Sequence, residues 1–184
     1  MEYKMNIAGL ERSLPLCPIS ETLYIGAFVM FGDTELTEAC AEALLAKAPD
    51  FDVLLTAESK GIPLVCSMAR LSGKGRYVLA RKSVKLYMRN VISFSVKSIT
   101  TTAQQTLYLD GDDVAFLKGK RVLIVDDVIS TGASLSAMEN LVSKSGATVA
   151  GRMAVLAEGD AIGREDITVL GDLPLFTPSG TPIT

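Results

Sequence analysis

The chain has no histidine and no tryptophan. Without histidine it lacks the commonest general base near neutral pH and the commonest transition-metal ligand, which excludes histidine-based triads and histidine-bound zinc hydrolysis. Cysteine is sparse: Cys17, Cys40 and Cys66 are odd in number, widely spaced and without a C-x-x-C pair, which argues against a disulfide framework or a zinc site. Neither sign of charge dominates. A net charge of −3 and a pI near 5.1 supply no broad positive field to hold nucleic acid or an anionic membrane, so any anionic ligand must be held locally. No apolar run approaches the ~20 residues that cross a bilayer. The opening stretch "MEYKMNIAGLERS" has no basic region followed by an apolar one. The expectation is a cytoplasmic protein with no nucleic-acid or membrane partner.

What the sequence does contain is alternating strand and helix patterns over 184 residues, the size of one α/β domain with a small appended subdomain. Asp33 is a good N-cap for an amphipathic helix that places Leu36, Cys40, Ala43, Leu44 and Lys47 at helical spacing and ends before Pro49. Residues 51–57, "FDVLLTA", have strand length, and "GIPLVCSMARLSG" follows as a helix with Pro63 in its first turn and Gly73 beyond its end. "RYVLARK" (76–82) is the next strand. Residues 83–102 lack helical periodicity and are rich in Ser, Thr and Lys, so a long excursion or loose hairpin is expected, of the kind that often serves as a lid. "QQTLYLDGDD" predicts a strand and turn, and "LKGK" a second turn. "RVLIVDD" predicts the clearest strand, followed by a helix over 131–145 and two late strands. Continuous apolar strands alternating with helices imply a doubly wound, mostly parallel sheet with helices on both faces.

The chemistry concentrates in "VLIVDDVISTGAS", residues 122–134. In a doubly wound sheet the ligand site lies beyond the carboxyl ends of the strands, and this strand delivers Asp126 and Asp127 there. Adjacent side chains alternate across a strand, so both acids face one pocket only if the strand ends and turns at this point. The loop that follows enters a helix, whose free N–H groups and positive dipole end suit a phosphate; Gly132 permits close approach, and Ser130, Thr131 and Ser134 add hydroxyls. Taken alone, the acid pair suits a magnesium site or a helix cap as well as a sugar diol. With the loop, the whole string describes a sugar-phosphate site. It is not a nucleotide P-loop, because no Gly-Lys-Ser/Thr follows the strand.

This string resembles the phosphoribosyl pyrophosphate (PRPP) signature of the type I phosphoribosyltransferases, and the resemblance runs over roughly residues 20–160. It implies that Asp126 and Asp127 bind the ribose hydroxyls and that Ser130, Thr131, Gly132, Ala133 and Ser134 hold the 5-phosphate. "TAESKGIPL" is similar to the pyrophosphate loop of the adenine phosphoribosyltransferases. Glu58, Ser59, Lys60 and Gly61 then face pyrophosphate, with a non-proline cis bond expected at Glu58–Ser59 and lysine where arginine is common. "VLARKSVKLY" resembles the next pyrophosphate-facing segment, adding Arg81, Lys82 and Lys85, although a solvated basic strand end has the same composition.

The resemblance further implies Mg²⁺ carried mainly by substrate, without dedicated protein ligands, and a homodimer. Residues 1–32 would form a hood over the base, residues 33–160 the core, and 161–184 would be available to join the hood. Tyr24, Ile25 and Phe28 are candidates to contact a purine. The expected activity is transfer of the phosphoribosyl group to a purine, adenine first and hypoxanthine, guanine or xanthine after it. The alternative is a PRPP-binding regulator without catalysis. One departure stands out: the family's adenine enzymes carry a glutamate in the mobile segment, whereas "VKSITTTAQQTLYL" contains no acid. An acid elsewhere, such as Glu158, could take over its proton transfer.

Overall fold

The computed structural model describes residues 1–97 and 104–183. The chain opens with a hairpin, β1 (Glu2–Ile7) and β2 (Leu10–Pro18), paired antiparallel. Its two-residue turn holds Ala8 and Gly9 at φ 50° and 85°, the doubly positive geometry that matches strand twist. The short β3 (Tyr24–Gly26) pairs with β2 and leads to α1 (Thr34–Leu45). Asp33 caps that helix, its carboxylate accepting from the Leu36 amide at 3.0 Å. Next come β4 (Val53–Ala57), α2 (Ile62–Leu71) and β5 (Tyr77–Ala80). The antiparallel hairpin β6 (Ile92–Lys97) and β7 (Gln104–Leu109) follows. Then come α3 (Gly111–Leu117), β8 (Arg121–Ile129), α4 (Ala133–Lys144), β9 (Thr148–Glu158), β10 (Thr168–Leu173), β11 (Leu175–Phe176) and β12 (Pro182–Ile183).

The central sheet has the order β10-β9-β8-β4-β5, with every neighbouring pair parallel. Its two faces are read directly from alternation. Leu54, Leu123, Val125, Met153 and Val155 point to the side covered by α1, α2 and the small sheet. Val53, Leu55, Val122, Ile124 and Ala154 point to the side covered by α3, α4 and the β6–β7 hairpin. Both faces are dry, as a parallel sheet requires.

The second sheet has the order β1-β2-β3-β11-β12, so the two ends of the chain build one layer. Tyr3 packs against Phe176 with ring centroids 4.9 Å apart. Arg12 ties this layer to the start of α1 through Asp33 and Glu35, each at 2.7 Å.

Four expectations change. The turn read at "DGDD" opens α3: Asp110 takes the N-cap position and Asp112 and Asp113 lie in the first turn, favourable toward the helix dipole. Turns and helix starts share that chemistry, so sequence did not separate them. β8 does not stop at the acids, because β9 runs beside it and pairs Asp126 with Ala154, Val128 with Leu156 and Ile129 with Ala157. Helix α4 starts two residues later than the expected 131, since Gly132, at φ 78°, is its N-cap. The boundary drawn at 160 is also too early: β10 belongs to the central sheet, and only β11 and β12 join the small one. Residues 83–102 do contain a hairpin strand; the part of the expected lid at 98–103 lies outside the described residues.

Candidate active site

Two strand ends and one layer of the small sheet enclose a cavity of about 530 Å³. Beyond β4 the chain turns through a cis peptide at Glu58–Ser59 into α2. Gly61 is required there: a Cβ would lie 2.4 Å from Thr56 Oγ1 and 3.5 Å from Asp126 Oδ1. That close packing brings the loop against the acid pair. Lys60 Nζ reaches Asp127 Oδ2 at 2.5 Å in an ion pair and donates to the Phe28 carbonyl at 3.3 Å. One ammonium thus spans the acid pair and the segment that follows β3.

Asp127 is buried, at 5 % exposure, and Asp126 Oδ1 accepts from the Asp127 amide at 3.0 Å. Burial, with the charge of Asp127 beside it, pushes the Asp126 carboxyl up to about 8. Glu58 is held by the next strand end: Oε2 accepts from the Lys82 amide at 2.9 Å and Oε1 lies 3.4 Å from Arg81 Nη2. The β6–β7 hairpin docks at this corner through reciprocal 2.8 Å bonds between Arg81 and Tyr108.

The structure brings together Glu58, Ser59, Lys60, Lys82, Asp126, Asp127, Ser130 and Ser134 around the cavity, with Ile25 and Phe28 also in its lining. Thr131, Gly132 and Ala133 line an adjoining pocket of about 160 Å³ that shares Asp126, Ser130 and Ser134 with the first. Four candidates do not line either pocket: Tyr24 packs on the core, Gly61 is buried behind the loop, Arg81 turns to Glu58, and Lys85 Nζ bonds Ser83 Oγ at 2.7 Å. Phe28 is 2 % exposed and belongs to the core; its carbonyl is what meets Lys60.

Two residues outside the phosphate-binding pattern also matter. Glu158, at the end of β9, lines the cavity. Arg164 lies against the loop before α4, its Nη1 2.8 Å from where a Gly132 Cβ would stand, while Asp166 grips its Nε and Nη2 at 2.9 and 2.7 Å. Nothing local in sequence links residue 164 to residue 132; the return of the chain past β9 does.

Residues 34–171 match the model of the phosphoribosyl transferase domain. The chain belongs to the phosphoribosyltransferase family. It is 34% identical to the adenine phosphoribosyltransferase of Rubrobacter xylanophilus, over 85% of this chain and 82% of that one. It is 30% identical to the hypoxanthine/guanine phosphoribosyltransferase of Methanothermococcus okinawensis, over 89% and 87%. Its fold superposes on the crystal structure of the adenine phosphoribosyltransferase of Thermoanaerobacter pseudethanolicus with a TM-score of 0.72, at 25% identity, covering 86% of this chain and 95% of that one. The parallel sheet with helices on both faces is thus the type I phosphoribosyltransferase fold.

Proposed function

We propose that this phosphoribosyltransferase moves the 5-phosphoribosyl group of PRPP to N9 of a purine, adenine in preference, releasing pyrophosphate, in purine salvage. The observation that carries the reading is the convergence of the acid pair, the small-residue loop before α4 and the lysine-bearing loop after β4 on one cavity. Its relatives' names support adenine.

The residues divide the substrate among them. Ser130 to Ser134 and the N–H groups at the start of α4 hold the 5-phosphate. Asp126 and Asp127 face the ribose diol and bond its hydroxyls. Glu58 holds the backbone of Lys82 in place and is itself braced by Arg81, Gly61 lets the loop pack against Thr56, and Ser59, Lys60 and Lys82, which line the cavity, face the pyrophosphate. PRPP entry exchanges the Lys60–Asp127 contact for diol–Asp127 and Lys60–pyrophosphate contacts, so the ammonium moves toward the charge that grows as the C1–O bond breaks. Fixed charge aimed at a leaving group is commonly a dominant part of catalysis. Ile25 and the Phe28 segment cover the base side.

Among the described residues no three acidic or sulfur side chains cluster to hold a metal. Mg²⁺ would be carried by the substrate's phosphate and hydroxyl oxygens, without dedicated protein ligands. When bound, Mg²⁺ neutralises pyrophosphate charge. Exposed Phe31, Leu86 and Tyr87 give apolar surface for a second copy, supporting a homodimer, and the absence of histidine-metal or disulfide chemistry suits the cytoplasm.

The test is pyrophosphate release from PRPP and Mg²⁺ with adenine, hypoxanthine, guanine, xanthine and uracil supplied separately. Turnover with a purine, fastest with adenine, is expected. PRPP binding without turnover of any base would replace the enzyme by a PRPP-binding regulator.

A further inference from the structure

The cavity contains one carboxylate that the division above leaves without a task. Glu158 ends β9, half-buried, and lines the cavity together with Ile25, Phe28 and Val29. The other carboxylates there are engaged: Glu58 by the Lys82 amide, Asp126 by the Asp127 amide, and Asp127 by Lys60. Among the described residues the Glu158 carboxylate has neither a hydrogen bond nor an ion pair. Burial pushes its pKa up, the Lys60 ammonium pulls it back, and the Asp127 charge adds a further push. A ligand N–H would stabilise its charged form, and leaving it unmatched against a bound acceptor would cost.

Its place narrows the ligand. β9 is the parallel neighbour of β8, and Glu158 follows the Ile129–Ala157 pair at the end of their ladder; it lies within range of the Lys60 and Asp127 charges and lines the same cavity as the apolar segment at residues 25–29. A base joined to ribose C1 must occupy this cavity. We propose that Glu158 is a specificity-determining residue that accepts a hydrogen bond from the exocyclic amine of a 6-aminopurine. The inference rests on the phosphoribosyl-transfer reading and sharpens it. A 6-oxopurine presents a carbonyl oxygen at the same point, so two acceptors meet and the bond is replaced by repulsion. Glutamine at this position both accepts and donates, and would serve either base.

The experiment compares kcat/KM for adenine, hypoxanthine and unsubstituted purine in the wild-type protein and in Glu158→Gln, with PRPP affinity measured by titration in both. A charge-assisted hydrogen bond predicts that the adenine-to-hypoxanthine ratio falls about 10- to 100-fold in the variant, while PRPP affinity stays within about twofold. The wild-type preference for adenine over unsubstituted purine should shrink by a similar factor. An unchanged ratio in a variant that still binds PRPP overturns the role of Glu158. Should the variant not fold, the wild-type comparison decides: equal kcat/KM for adenine and unsubstituted purine overturns it, and a clear adenine preference supports it. Failure of the wild-type protein to use any purine overturns the transfer reading itself, and this inference with it.

Discussion

Replacing Gly61 by alanine introduces one methyl group at the point where the loop after β4 meets the acid pair. The backbone of Gly61 is ordinary, at φ −73°, so alanine brings no conformational strain and the effect is purely one of space. The new Cβ would fall 2.4 Å from Thr56 Oγ1, about 1 Å inside normal contact. Thr56 has no exposure and sits on a strand bonded on both sides, so it cannot step aside cheaply. Overpacking of this kind costs about 1–3 kcal/mol, which for a chain of this size lowers Tm by about 3–10 °C. Shift of the loop would also move Lys60 away from Asp127 and weaken PRPP binding. Thermal melts of Gly61→Ala, Thr56→Ala and the double variant form a cycle. The double variant should be more stable than the sum of the single losses implies, by about 1 kcal/mol or more. Simple additivity, or a Gly61→Ala variant with wild-type Tm, would refute the reasoning.

The raised Asp126 carboxyl makes stability fall with pH: the folded chain keeps a proton that the unfolded chain releases, so stability declines from near 3.8 up to about 8. Asp126→Asn lacks that loss, and its Tm relative to wild type should rise between pH 5 and pH 8; parallel curves would contradict the assignment. Lys60→Met leaves Asp127 buried without its counter-charge, costing about 1–3 kcal/mol after allowance for the partly exposed lysine. Asp127→Asn in the same background should restore most of that in denaturant melts. Gly132→Ala meets both a φ of 78° and Arg164, a strain of about 1–2 kcal/mol. Weaker PRPP binding by titration is expected, and wild-type affinity would remove the loop from the phosphate site.

How much of this was legible in sequence varies with the range of the interaction. Local patterns settled α1, α2, β4, β5 and β8, because caps, apolar periodicity and Pro or Gly punctuation act within a few residues. The string at 122–134 likewise carried the acid pair and the small-residue loop, since strand, loop and helix start are contiguous. Tertiary structure decided the rest. β8 continues through Asp126 and Asp127 because β9 supplies its bonding partner, which no local signal reports. Lys60 lies on Asp127, and Gly61 on Thr56, because β4 and β8 are neighbours in the sheet. Arg164 and Glu158 reach the site only through the return of the chain along β9, and β11 joins β3 from the far end of the sequence. The residue types that can bind a sugar phosphate were written in one stretch; which carboxylates are paired, and which has no partner among the described residues, depended on contacts between strands distant along the chain.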